Sequence, residues 1–205
     1  MDPDPIEDFC IADLTRNGGT LSCNYGFPCK PLSQVTSEDF VFSGLTKPGN
    51  TTNLFGSAVT PGSVDFFPAV NTLGLSANRV DFAPGGILPP HSHPRATELI
   101  TIIHGKVLIG IITSNNQVFS RVVEKGEVFI VPRGLLHFQY NVGKNKARTY
   151  TVFNSQKPGI INTPISLFAS LPLIPDEVLV KSYMLDTNLV QVIRDKFAPA
   201  KQPLK

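Results

Sequence analysis

The sequence predicts an all-β domain, a sandwich or a barrel, with helices only at its C-terminal end. Between about residue 56 and residue 155, short runs rich in β-branched and aromatic residues are separated by turn residues, which is typical of many short strands. A chain of 205 residues is long enough for one well-buried core with appended ends, which favours a single domain over two equal ones. The seven runs are LSANRVDFA, TELITII, KVLIGII, QVFSRVV, EVFIV, LLHFQYNV and ARTYTVF.

Residues 1–55 are expected to form an N-terminal arm of the same domain. They are rich in Gly, Pro, Asn, Ser and Thr, with one candidate short helix at Ser37 to Phe40. Cys10, Cys23 and Cys29 crowd this arm and predict a disulfide that staples it, which is typical of an oxidising compartment. Sequence alone permits three pairings, of which Cys10 to Cys29 would stabilise the fold by about 3 kcal/mol. Three reduced cysteines in a cytosolic protein are the alternative.

The barrel is expected over residues 56–160 and a helical extension over residues 161–205. Pro175, followed by Asp176 and Glu177, is typical of a helix start before VLVKSYML. A second helix is indicated by apolar residues at helical spacing. These residues are Leu189, Val190, Val192, Ile193 and Phe197.

Charge and hydropathy exclude two classes of partner. The formal net charge is +2, charged residues make up 17% of the chain, and no block of Lys or Arg stands out. We therefore expect that the protein does not bind nucleic acid and that its ligand is small. The most apolar window, ELITIIHGKVLIGII at residues 98–112, is interrupted and shorter than the roughly 20 apolar residues that span a bilayer, so we expect a soluble protein. A sequon at Asn50 is a candidate glycosylation site that agrees with the cysteines in favouring secretion.

The run KVLIGII predicts oligomerisation. Its alternate residues are apolar on both faces, whereas one face of an antiparallel barrel strand usually meets solvent. We expect another subunit to cover the outer face, with the C-terminal helices holding it there.

A metal site is predicted from the segment PPHSHPRATE, which holds two of the four histidines of the chain. In an extended segment His91 and His93 project to the same face, so both imidazoles can bind one ion. Glu98 opens the next apolar run and could return a carboxylate to that face. An HxH pair alone is more often two solvent-exposed histidines or a hydrogen-bonded pair than a metal site. His104, beside Gly105 with no partner at ligand spacing, is interpreted as structural.

The run LLHFQYNV supplies the fourth candidate ligand. His137, Gln139 and Asn141 share one face of this strand and indicate a pocket interior. Three imidazoles and one carboxylate would leave two positions of an octahedron open to water or substrate. This ligand set favours Mn or Fe, with Zn and Ni as competitors.

Two longer motifs resemble a known family. GGILPPHSHPRATELITIIHG, from Gly85, and GEVFIVPRGLLHFQYN, from Gly126, are similar in their spacing to the two cupin motifs in the form carried by plant germins and germin-like proteins. The likeness covers nearly the whole chain, through DPDPIEDFCIADL, CKP, NTLGLSANRVDFAPGG, FNSQKPGI and the helical tail.

The resemblance implies a single cupin β-jelly-roll barrel with C-terminal helices, assembled as a hexamer of three dimers and secreted into the plant cell wall space, the apoplast. It makes His91, His93, Glu98 and His137 the ligands of manganese. It also implies the Cys10–Cys29 disulfide in the arm, which leaves Cys23 as an addition of this chain.

The resemblance assigns the metal ligands more directly than the activity. True germins are oxalate oxidases in which two asparagines handle oxalate; Asn78 matches the first, but Leu88 stands where the second is expected. An aliphatic side chain cannot replace a hydrogen-bond donor beside a small dianion, so we expect no oxalate oxidase activity. Superoxide dismutation, reported for many germin-like proteins and a source of hydrogen peroxide in defence or stress, is the favoured function. Asn78 and Gln139 are then the candidate catalytic residues that orient bound water or a small anionic substrate.

Other functions stay open at this point. The chain could be an oxalate oxidase after all. It could instead be a non-catalytic wall scaffold or small-ligand receptor in which the ion serves stability. Some relatives are described as nucleotide-sugar phosphodiesterases or auxin binders, and nothing in the sequence separates these roles.

Overall fold

The computed structural model describes residues 7–15 and 26–197. Cys23 and the ends of the chain lie outside the described residues. The described part of the arm has no extended strand, and an isolated bridge joins Ala12 to Cys29. Three short 3-10 turns lie between residues 26 and 55: Leu32–Gln34, Ser37–Phe40 and Gly44–Thr46. The short helix expected at Ser37 to Phe40 is therefore a 3-10 turn.

The arm is closed on itself by a disulfide and fastened to the barrel by hydrogen bonds. Cys10 and Cys29 form a disulfide, so the fold has the stapled arm that was predicted. Further along, Arg79 on the barrel donates to the carbonyl oxygens of Leu45 and Thr46, while its ion-pair partner Asp81 accepts from the backbone N–H of Gly49. These bonds hold a segment with little regular structure against the outside of the barrel.

Two five-stranded antiparallel sheets face each other and form a β-jelly-roll barrel, as predicted. The first sheet has the order β1-β2-β9-β4-β7 and the second the order β10-β3-β8-β5-β6. The strands are β1 (Ser57–Gly62), β2 (Ser76–Phe82), β3 (Ile87–Ser92), β4 (Glu98–His104), β5 (Lys106–Ile112), β6 (Val118–Glu124), β7 (Val128–Val131), β8 (Leu136–Asn141), β9 (Ala147–Phe153) and β10 (Ile161–Asn162). A further 3-10 turn, Pro68–Val70, lies between β1 and β2.

The core fills the space between the sheets with side chains from alternate positions of each strand. On β5, Val107 and Ile109 are fully buried among these inward-facing residues. Because strand side chains alternate in direction, the row that runs through His137, Gln139 and Asn141 of β8 also points inward, and all three are buried. The inward-facing core therefore combines apolar rows with a polar row on β8.

The outer face of β5 is only partly covered within one chain. Leu108 and Ile112 are half-buried, and the ring of Phe138 on β8 lies so close over Gly110 that a Cβ there would come within 2.6 Å of it. Some of the cover expected from another subunit is thus supplied by a neighbouring strand. The structure contains no partner chain, so oligomerisation stays a prediction.

Three helices follow the barrel between residues 163 and 197, one more than expected. α1 (Thr163–Phe168) packs on β3 and α3, whereas α2 (Asp176–Tyr183) and α3 (Thr187–Phe197) are the two that the sequence predicts. Leu179 and Val190 are buried, but Leu189 and Val192 stay exposed, so the expected apolar face of α3 is buried only in part. None of the helices in the described ranges is long and apolar enough to cross a membrane.

Candidate metal centre

Four side chains that the sequence analysis singled out as ligands meet at one end of the barrel. His91 lies near the end of β3, His93 directly after it, Glu98 at the start of β4 and His137 near the start of β8. One ligand atom from each residue can be chosen so that all lie within 4.8 Å of one another, and all four residues are buried. We call this end of the barrel the ligand end.

Strand pairing explains the convergence. β3 pairs with β8, which places His91 directly opposite His137, and a register shift between Leu88 and His91 precedes the pair. Glu98 belongs to the other sheet, where it pairs with Val131 and Phe153. The carboxylate therefore reaches the three imidazoles across the space between the sheets, at 3.3 Å from His93 Nε2 and 2.8 Å from His137 Nε2.

Backbone carbonyl groups hold each imidazole in one tautomer. A carbonyl oxygen lies within hydrogen-bond distance of the Nδ1 atom of every histidine in the cluster. Since a carbonyl can only accept, Nδ1 carries the proton and Nε2 keeps its lone pair for a metal ion. The pairs are His91 Nδ1 with Pro89 O at 2.8 Å, His93 Nδ1 with Gly159 O at 2.6 Å and His137 Nδ1 with Leu135 O at 3.0 Å.

The atoms that face the centre fit a bound cation. Glu98 Oε2 and His137 Nε2 are buried and only 2.8 Å apart, and neither atom has a hydrogen-bond partner among the described residues. With the proton of His137 on Nδ1, two acceptors face each other here. Buried polar atoms without partners call for an explanation, and a shared metal ion supplies one here. A first-row divalent metal suits a donor set of three nitrogens and one oxygen.

The protonation states of the ligands also fit. Burial, followed by the charge of His137, lowers the pKa of His91 to about 3. Burial alone would raise the pKa of Glu98, but the adjoining imidazoles of His137 and His93 outweigh it and lower that pKa to about 2. At neutral pH the site thus offers a neutral imidazole and an ionised carboxylate, the forms that bind metals.

Phe153 forms a wall of the site that sequence reasoning missed. Its ring meets the imidazole of His93 edge to face, with centroids 4.7 Å apart, and it is buried opposite Glu98. The signal was present in ARTYTVF, where Phe153 shares the inward face with Thr149 and Thr151. The carbonyl of Gly159, which fixes His93, carried no such signal because the contact spans 66 residues.

A layer of polar groups lies one step deeper in the barrel. Gln139 is two residues from His137 on the inward face, and Thr151 is two residues from Phe153. Among the described residues, neither amide atom of Gln139 nor the hydroxyls of Thr149 and Thr151 have a hydrogen-bond partner. Such groups are available to bound water or to a small polar ligand.

The other predicted site residues are placed as follows. Asn78 shares the inward alternation of β2 and pairs with Thr151, but its Oδ1 accepts a hydrogen bond from the N–H of Gly62. Leu88 pairs with Gln139 and packs against the barrel core, so an aliphatic side chain lies beside the buried amide. His104 is exposed and outside the ligand cluster, as expected.

Asn50 is exposed in the loop before β1, and its Oδ1 accepts from the N–H of Thr52. An exposed sequon is accessible to a glycosyl transferase, and the glycan itself stays a prediction.

Asn141 donates to the carbonyl oxygens of Ala83 and Asn145, so it ties loops at the opposite end of the barrel and has no role at the ligand end.

Comparisons with known proteins agree with this geometry. The profile of the Cupin family matches residues 43–191. Germin-like protein 3-7 of Oryza sativa subsp. japonica is 52% identical over 197 residues, which cover 96% of this chain and 84% of that protein. Oxalate oxidase 1 of Hordeum vulgare is 52% identical over 201 residues, which cover 96% of this chain and 98% of that protein.

A solved structure of oxalate oxidase in complex with the substrate analogue glycolate is also similar. It is 50% identical, superposes with a TM-score of 0.93, and covers 97% of this chain and 99% of its own. The barrel, the stapled arm and the three-histidine, one-glutamate cluster thus occur in a chain whose relatives are about half identical along nearly its whole length. This chain belongs to the germin and germin-like family of the cupin superfamily.

Proposed function

We propose that the protein is a manganese-dependent superoxide dismutase-type oxidoreductase. The buried cluster with three Nε2 lone pairs and one ionised carboxylate carries this proposal. It would give a redox metal four protein ligands and leave two positions of an octahedron for small ligands. The overall reaction converts two superoxide ions and two protons into one oxygen and one hydrogen peroxide. Manganese supplies the one-electron oxidation and the one-electron reduction when it is bound.

The side chains of the chain have distinct parts in this proposal. His91, His93, Glu98 and His137 hold the ion and set its potential. The amide of Gln139, which is buried and free of partners in the described structure, orients water or the incoming anion one layer below the ligands. Asn78 assists from the facing sheet with the donor N–H groups of its side-chain amide, since its Oδ1 already accepts from the N–H of Gly62.

Oxalate oxidation is the second candidate function. The observation that favours it is the 52% identity to oxalate oxidases of Hordeum vulgare, together with the similarity to an oxalate oxidase bound to glycolate. Leu88 argues against it, because an aliphatic side chain beside Gln139 offers no hydrogen bond to a dianion that must leave water. A role as a wall scaffold or small-ligand receptor, without turnover, is the third candidate.

One set of assays on the same preparation separates these candidates. Purified protein is stripped with a chelator, reloaded with manganese and dialysed, and superoxide loss and peroxide release from oxalate are measured at each stage. We expect superoxide loss only in the loaded form and no peroxide from oxalate. Dialysis buffer with an equal manganese concentration is the control, since free manganese ions also react with superoxide. Peroxide from oxalate would establish the second candidate, and full stability without either activity the third.

The setting of the protein is part of the proposal. Secretion into the plant apoplast is supported by the Cys10–Cys29 disulfide and by the exposed sequon at Asn50. A homo-oligomer, a hexamer built from three dimers, is supported by apolar side chains exposed on the outer face of the first sheet and on α3. These include Leu75, Leu99, Ile130, Val152, Leu189 and Val192. Light scattering of the purified protein tests the assembly, and a monomer at micromolar concentration would contradict it.

A further inference from the structure

The loops at the ligand end carry an excess of positive charge. Strand pairing brings five connections to this end: residues 63–75, 93–97, 113–117, 132–135 and 154–160. Their charged side chains are three cations and a single acid. The cations are Arg95, Arg133 and Lys157, and the acid is Asp65.

The acid is already paired. Asp65 Oδ1 lies 2.8 Å from Lys157 Nζ, so these two charges neutralise each other. No carboxylate in the described part of the chain pairs with Arg95 or Arg133, and both side chains are exposed. Two positive charges in these loops therefore have no ion-pair partner among the described residues.

Both arginines are held close to the metal ligand His93. Arg95 Nε donates to Lys157 O at 2.7 Å, and its guanidinium lies against Gly159, whose carbonyl oxygen binds His93 Nδ1. On the other side, Arg133 Nε donates to Pro94 O at 2.8 Å. Each charge is thus separated from the ligand by one backbone contact and is restrained there by a hydrogen bond.

The most exposed of the four metal ligands lies beside these charges. His93 is the most exposed of the four ligands, although it is buried, and the loops that carry the arginines lie on its side of the barrel. Fixed charges at the mouth of a buried site raise the local concentration of a counter-ion and its association rate, most strongly at low ionic strength.

We propose that Arg95 and Arg133 attract a small anion to the metal centre. This inference rests on the proposed function in one respect, namely that the substrate is a small anion. Any monoanion that binds the ion is subject to the same attraction, so the inference can be tested without turnover. The probe is azide, bound to the manganese-loaded protein and followed by the electron paramagnetic resonance signal of the metal.

The variants separate charge from structure. Arg95→Gln combined with Arg133→Gln removes both charges, whereas Arg95→Lys combined with Arg133→Lys keeps them and loses the fork of the guanidinium. Lys144→Gln combined with Lys146→Gln is the matched control, because it removes two cations from the loop at the opposite end of the barrel. Manganese content is measured for every variant before the titration.

We expect the Gln pair to weaken azide binding by about 3- to 10-fold at an ionic strength of about 0.01 M, and by less than about 2-fold at about 0.5 M, where screening is nearly complete. The Lys pair and the control pair are expected to bind azide like the unmodified protein. If salt does not weaken azide binding by the unmodified protein, the inference is overturned. This outcome decides the question even if the Gln pair loses its metal. A Lys pair that behaves like the Gln pair also overturns it, since the arginines then act by positioning the loops.

The result is independent of superoxide turnover. The protein could lack dismutase activity while its azide affinity depends on salt and on these two charges. That result would contradict the proposed function and support the inference. An active protein with no salt dependence of azide binding would do the reverse.

Discussion

His137 Nε2 lies 2.8 Å from Glu98 Oε2, with neither atom in a hydrogen bond to any described residue. The two residues belong to different sheets, since β8 is in the second sheet and β4 in the first. A cation bound between them would join the two sheets at one end of the barrel. The metal is therefore expected to contribute to stability as well as to chemistry.

Replacement of His137 by alanine should abolish metal binding. The change removes one of the four ligands. His137 is fully buried and lies opposite His91 in the pairing of β3 with β8. We expect manganese content near zero by elemental analysis, loss of superoxide turnover, and no rise in melting temperature on addition of manganese. His104→Ala is the matched control, because His104 is exposed and outside the cluster. A metal-free His137→Ala protein that still turns over superoxide would rule out the proposed mechanism.

Without metal, the protein should lose stability as the pH falls from about 6.5 to about 3. The pKa of His91 is about 3 in the fold against an ordinary value of 6.5, so in this window the unfolded chain binds the proton and the folded chain does not. The free energy of unfolding thus decreases as the pH is lowered, by about 5 kcal/mol at most. The lowered pKa of Glu98, about 2, acts in the same direction between pH 4.5 and about 2.

Denaturant unfolding of chelator-treated protein at a series of pH values measures this loss. His91→Asn is the control, since it keeps a polar side chain of similar size and removes the titrating group, and we expect a flatter profile for it. A metal-free protein equally stable at about pH 4 and about pH 7 would contradict the assignment of a buried neutral imidazole.

The motifs predicted the ligands, but the sequence pattern missed part of the barrel. β3 is absent from the seven predicted runs because Pro89 and Pro90 argue against a strand interior, although the segment at His91 was expected to be extended. In the structure β10 pairs only with Ser92 and His91, so the prolines lie on a stretch with no neighbour on that side, at a register shift. β1 escaped for a related reason, because SAVTPG ends in Pro61 and Gly62.

The deeper parts of the site could not be predicted from local pattern. Gly159 supports His93 from 66 residues away, through a carbonyl group that every residue possesses. The polar layer of Thr149, Thr151 and Gln139 depends on which strands face each other across the barrel, and this is set by the order of the sheets. α1 is only six residues long and begins at an Asn162 cap and a Pro164, a signal too short to stand out.

Substitution of Arg79 by methionine should destabilise the protein strongly. Arg79 and Asp81 form a buried ion pair with contacts of 2.8 Å, and Arg79 also satisfies two carbonyl groups of the arm. Removal of one partner leaves a buried charge, which costs about 3–5 kcal/mol. Arg121→Met is the control, because Arg121 and Glu127 pair on the surface, where such pairs contribute about 0–1 kcal/mol. Equal melting temperatures for the two variants would show that the arm does not depend on the buried pair.

The Cys10→Ser, Cys29→Ser double variant should be less stable by about 3 kcal/mol. The disulfide closes a loop with a sequence separation of 19, and its loss restores that chain entropy to the unfolded state. Asn71 also donates to Cys10 Sγ at 3.1 Å, so the variant perturbs the contact between arm and barrel. Cys23→Ser is the control and should unfold like the unmodified protein. Denaturant unfolding compares them, and a double variant as stable as the control would contradict a stapling role.

Replacement of Leu88 by asparagine should create or raise oxalate oxidase activity. Leu88 pairs with Gln139 inside the barrel, so an amide at this position would face the same polar layer and could donate to a bound carboxylate. A hydrogen bond to a charged group contributes about 1.5–3 kcal/mol, which corresponds to a roughly 10- to 150-fold gain in kcat/KM for oxalate. Peroxide release from oxalate by the manganese-loaded protein measures the gain. Leu88→Ala is the control, because it opens space without adding a donor and should stay inactive. If the unmodified protein already oxidises oxalate and Leu88→Asn does not raise the rate, Leu88 is not what separates the two activities.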